Sequence, residues 1–113
     1  MTARRLVVAA LAALVAAAIL APAPAAAEDP AKIFAKSCAP CHGKDGTPNA
    51  MFTKQGVRNF ADAAWQRAAT DAQIEKSIRE GKRGTMMASF EKQLSAGEIK
   101  GLVAHIRKLG SGK

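Results

Sequence analysis

The chain has 113 residues, 17 Lys and Arg against nine acids for a formal charge of +8, and only four Phe, one Trp and no Tyr. That is the size of one domain, too poor in aromatics to fill a large core with side chains alone. It contains no hydrolase constellation, phosphate loop or nucleic-acid module.

Residues 1–27 read as an export signal. Arg4 and Arg5 form its positive start, an uncharged run follows from Leu6 to about Leu20, and Ala25-Ala26-Ala27 is a small-residue cleavage site. The alternative is a retained membrane anchor, because Leu6 to Ala27 carries no charge. Cleavage after Ala27 leaves a single domain, residues 28–113. Loss of Arg4 and Arg5 lowers Lys plus Arg from 17 to 15 against nine acids, so the exported chain stays near +6. A basic exported chain suits an acidic docking patch on a protein or an anionic membrane face better than nucleic acid.

The first helix is expected to start at Asp29 as N-cap with Pro30 in the first helical position, and to run through Ile33 and Phe34 towards Cys38. A loop follows from about Gly43 to Gly56. Phe60 to Arg67 forms a short helical piece carrying Trp65. Thr70-Asp71-Ala72-Gln73 is a capping box that opens a second main helix, with Ile74 and Ile78 on one face and Gly81 as its stop. Lys82 to about Leu94 reads as an irregular loop. Ser95-Ala96-Gly97-Glu98 opens the last helix, whose stripe is Ile99, Leu102, Val103, Ile106 and Leu109, with Gly110 just past its end. No segment has a persuasive strand pattern, so the fold class is all-α.

The chemistry lies in Cys38-Ala39-Pro40-Cys41-His42, the C-x-x-C-H signature of covalent haem attachment. Two thiols one helical turn apart can bond to two vinyl groups on one porphyrin edge, and the next residue offers an imidazole to the iron. A thioredoxin-like pair would need a βαβ setting. A zinc site would need four ligands, and only Cys38, Cys41, His42 and the distant His105 are on offer. A disulfide closing so small a loop would add little stability. A buried haem c also supplies the apolar bulk that the side chains lack. Its two propionates would bring the net charge to about +4. A second iron ligand could come from Met51, Met86, Met87 or His105.

With these residues the chain resembles the class I bacterial cytochromes c, small single-haem electron carriers of the periplasm. The resemblance runs through Phe34 four residues before Cys38, Cys41-His42-Gly43-Lys44-Asp45-Gly46, Trp65, Gly81-Lys82 and the final helix. It implies a small cytochrome c fold, three main helices with loops wrapped around one haem. The family's distal methionine stands three residues before a phenylalanine, a register that Met87-Ala88-Ser89-Phe90 fits and Met86 misses by one. The resemblance therefore implies His42 and Met87 as iron ligands, with Met86 as the alternative, and Pro48 as the source of the carbonyl that holds the His42 ring. Two departures stand out. The family's usual proline after the ligand is Ala88 here. Its glycine at the helix crossing is Pro30, which shifts the close approach to Ala31 or Gly101. His105, where the family often has an aromatic, is expected to pack at that crossing.

The implied function is one-electron transfer by a periplasmic monomer that is not itself an enzyme. Lys36, Lys44, Lys54, Lys82 and Lys92 would guide it to acidic redox partners. Weighed against this are a gas-binding protein with an open iron and the haem subunit of a larger oxidoreductase.

Overall fold

Side chains that accept hydrogen bonds from bare backbone N–H groups set where the helices begin. The computed structural model describes residues 27–111. The expected export signal lies outside the described residues except for Ala27.

Helix α1, Pro30–Ile33, is capped by Asp29, whose carboxylate accepts the Ala31 N–H at 3.1 Å. The chain then widens into one π-helical stretch, Phe34–Cys38, and continues as α2, Ala39–His42. Pro40 accounts for the widening. It has no N–H, and in a regular α-helix its ring would strike the carbonyl four residues back. The Ala39 N–H instead reaches five residues back to Phe34. Gly43 ends the run at φ +84°, where a Cβ would collide with the Thr47 carbonyl.

Helix α3, Ala50–Lys54, lies inside the stretch expected to be a loop. Asn49 caps it by accepting the Phe52 N–H at 3.0 Å. Five residues without an apolar repeat carry no periodic signal, so only the Asn cap marks them. Helix α4, Ala63–Ala68, carries Trp65 and is capped by Asp62.

Helix α5, Asp71–Glu80, opens on the expected capping box. The Gln73 N–H donates to Thr70 Oγ1 at 3.1 Å, and the Thr70 N–H donates to Gln73 Oε1 at 2.9 Å. Ile74 and Ile78 are buried, and Gly81 stops the helix at φ +71°. Helix α6, Ala96–Ser111, opens on the second box, Ser95 with Glu98. It runs on through Gly110, contrary to the expected stop. Gly110 answers to packing instead, since a Cβ there would overlap the Gln66 side chain. No strand occurs among the described residues, so the all-α class stands.

Helix α6 is the organising element and packs against α1, α4 and α5. The core is Ile33, Phe34, Phe60, Ile74, Ile78, Ile99, Leu102, Val103 and Ile106, with no buried polar residue among those described. Burying each aliphatic member contributes roughly 1.5–3 kcal/mol before entropy is charged against it. At the α1–α6 crossing a Cβ on Gly101 would sit 2.8 Å from Pro30 Cγ. Gly101 thus provides the close approach, while Ala31 is exposed. Gly101→Val is expected to cost about 1–3 kcal/mol by forcing the helices apart. A thermal melt would register this as a drop of about 4–8 °C per kcal/mol.

Glu98 binds across the same crossing. One carboxylate oxygen accepts the Ser95 N–H at 2.9 Å and the other accepts the Glu28 N–H at 3.1 Å. These bonds, Ser95 first and Glu28 second, hold its pKa below the ordinary value against a slight opposing desolvation. A folded value below the unfolded one means that the stabilisation is complete above the ordinary carboxylate range and drains away as pH falls through the lowered value. Glu98→Gln should remove that part of the acid limb of a stability–pH curve, while an unchanged limb would show that other acids set it.

Candidate functional site

Cys38, Cys41 and His42 fall on the continuous helical run from π-stretch to α2, as their spacing requires. Both cysteines are free and half-buried, and Cys38 packs against the core. Burial, and then proximity to Cys41, pushes the Cys38 thiol up to about 11. At neutral pH it is a protonated thiol, unlike the activated thiolate of a redox Cys-x-x-Cys pair.

The His42 ring is held on an edge and on a face. Its Nδ1 lies 2.9 Å from the Arg58 carbonyl, and its plane stacks on Phe60 with centroids 4.2 Å apart and 15° between planes. A carbonyl oxygen only accepts, so Nδ1 carries the proton and Nε2 keeps a free lone pair. Burial lowers the His42 pKa, with the Arg58 bond opposing, which favours the neutral ring that metals bind. The carbonyl expected from Pro48 is thus replaced by that of Arg58, although Pro48 is buried close by in sequence. No sequence signal marks which backbone carbonyl will face a ring. Arg58 and Phe60 were therefore missed.

Met87 is half-buried and packs on the core, whereas Met86 is 65% exposed and Met51 58% exposed. The Met87 carbonyl accepts the Lys82 N–H at 3.0 Å, and the Met87 N–H donates to Thr85 Oγ1 at 3.2 Å. Ser89 Oγ donates to the Arg79 carbonyl at 2.6 Å, and the Phe90 N–H to that of Ile78 at 3.0 Å. The loop lacks the family's proline, but Met87 is bonded within it to Lys82 and Thr85, and Ser89 and Phe90 just after it are fastened to the end of α5. Gly81 makes room, because a Cβ there would meet Met87 O at 2.7 Å. His105 packs its ring on Phe34, with centroids 5.0 Å apart, as expected for the helix crossing.

The donor set fits a haem: two thiols in register, a neutral imidazole with its lone pair free, a partly buried thioether and a core without polar side chains. No group of three His, Cys, Asp or Glu side chains suited to a bare metal ion occurs among the described residues. Nor is any helix among them long and apolar enough to cross a membrane.

Residues 25–106 match the family described as cytochrome c oxidase, cbb3-type, subunit III. The cbb3-type oxidase subunit FixP of Azorhizobium caulinodans is 36% identical over 88 residues, covering 78% of this chain and 29% of its own. The CcoP subunit of Cereibacter sphaeroides is 30% identical over 83 residues, covering 74% of this chain and 27% of its own. The chain therefore spans under a third of the length of these curated relatives. The solved KustC0563 c-type cytochrome superposes with a TM-score of 0.66 at 38% identity, over 73% of this chain and 98% of that one.

Proposed function

The chain belongs to the cytochrome c family of cbb3-type oxidase subunit III and carries covalent haem c, and from that premise we propose that it is a monomeric one-electron carrier of the periplasm. Cys38 and Cys41 would hold the haem as thioethers, and His42 and Met87 would ligate the iron, with Met86 as the alternative to Met87. When bound, the group supplies a reversible ferric–ferrous couple. The observation that carries this reading is the His42 ring, locked in the one tautomer that presents Nε2 to a metal. The fastened Met87 loop supports a closed coordination sphere, which leaves electron exchange rather than substrate chemistry.

The leader of residues 1–27 supports export, with the domain beginning at Glu28. Lys36, Lys44, Lys54, Lys82 and Lys92 are all exposed and suit docking to acidic redox proteins. The relatives are subunits of cbb3-type cytochrome c oxidases, which favours an oxidase of that type as one such partner. The match to KustC0563 over nearly all of that c-type cytochrome supports a cytochrome c domain as the carrier. The test is electron transfer from the reduced holoprotein to an acidic partner at rising salt. The rate should fall steeply as the screening length shrinks from about 30 Å at 0.01 M to about 8 Å at 0.15 M. A flat response would remove the docking surface from the proposal.

A further inference from the structure

Gln66, next to Trp65 in α4, uses its whole side-chain amide. Nε2 donates to the Phe60 carbonyl at 2.8 Å and to the Ile106 carbonyl at 3.0 Å. Oε1 accepts from Arg107 at 2.9 Å. Arg107 is itself fixed by the carbonyls of Gln66 at 2.7 Å and Ala69 at 2.6 Å and by the Asp71 carboxylate at 2.8 Å. Gly110 leaves the space in which the amide lies.

The far end of this network is the segment that grips His42. Arg58 holds the edge of the ring through its carbonyl, and Phe60 holds the face. The Phe60 N–H is tied to the Gly46 carbonyl at 2.9 Å, and its own carbonyl is tied to Gln66. Gln66 touches neither His42 nor the cofactor site. Its hydrogen bonds to the Ile106 and Phe60 carbonyls link α6 to the segment 58–60 that holds the imidazole, beside the core packing of Phe60 itself.

We propose that Gln66 is a positioning residue for His42, setting the ring's orientation and the strength of its Nδ1–H···O bond, and through them the reduction potential. The inference rests on His42 being the proximal ligand. A strong Nδ1–H···O bond makes the ring more imidazolate-like and favours the ferric state. Loosening that bond raises the potential. Leucine would fill much of the same space, but it would leave the Phe60 carbonyl without its donor and Arg107 without one acceptor.

The test measures the reduction potential and the hyperfine-shifted His42 ring resonances of the holoprotein. Gln66→Leu removes the amide, and Gly110→Ala displaces it by a separate route. Ile74→Val thins the core at α5, outside both residues 58–60 and the helical run that carries His42, and serves as the control for lost stability alone. The expected result is a raised potential and displaced His42 resonances in the first two variants, with neither change in the control. If Gln66→Leu fails to fold, Gly110→Ala alone decides. Lowered melting temperatures with parental potential and resonances in Gln66→Leu and Gly110→Ala would reduce Gln66 to a packing residue and overturn the proposal. Absence of shifted His42 resonances from the parent would instead overturn His42 ligation, and the positioning role with it.

Discussion

The Met87→Ala holoprotein is expected to lose its weak far-red sulfur-to-iron absorption, to bind carbon monoxide when reduced, and to drop in potential by on the order of 0.1 V or more. A soft thioether stabilises ferrous iron relative to ferric, and alanine offers no lone pair to replace it. For one electron, a shift of about 0.1 V is roughly 2.3 kcal/mol. Met86, exposed and one residue out of register, is the internal control. Met86→Ala should leave all three observables unchanged. If the two variants exchange behaviour, the distal ligand is Met86, and if neither responds, His105 becomes the ligand to test. His105 lies against Phe34, so its replacement alone should cost packing and leave the iron spectrum as it was.

Replacing both Cys38 and Cys41 with alanine should have the largest effect on the fold. Nine buried hydrophobic side chains are a small core for the 85 residues described, and small domains often draw stability from a further anchor. Here that anchor is the covalent haem. The double variant is expected to yield haem to acidic solvent extraction and to lose its cooperative melting transition by circular dichroism. Haem that resists extraction from the variant would mean that attachment runs through other atoms. A sharp melt without haem would mean that the side-chain core suffices alone.

Much of the fold was legible because its strongest signals are local. Thr70 with Gln73 and Ser95 with Glu98 fixed two helix starts to the residue, and the 3.6-residue spacing of Ile99, Leu102, Val103 and Ile106 gave the buried face of α6. The attachment motif was equally local. What escaped depends on contacts distant in sequence. Helix α3 is too short to show a period. Gly110 reads as a stop, yet it is small for the sake of Gln66, 44 positions earlier. The acceptor for His42 is a backbone carbonyl, which every residue possesses, so no residue type advertised Arg58 over Pro48. The π-stretch had one visible cause, Pro40, but how a helix absorbs a proline depends on its surroundings.

The bond between the Glu28 N–H and Glu98 acquires another meaning if the leader is removed after Ala27. The neutral amide then becomes a free ammonium, and a neutral-donor contact becomes an ion pair between the first residue of the mature protein and the start of its last helix. Maturation would add a charge where a carboxylate is already waiting. An unprocessed chain would keep only the weaker amide contact, so the cut that releases the protein would also fasten its new end.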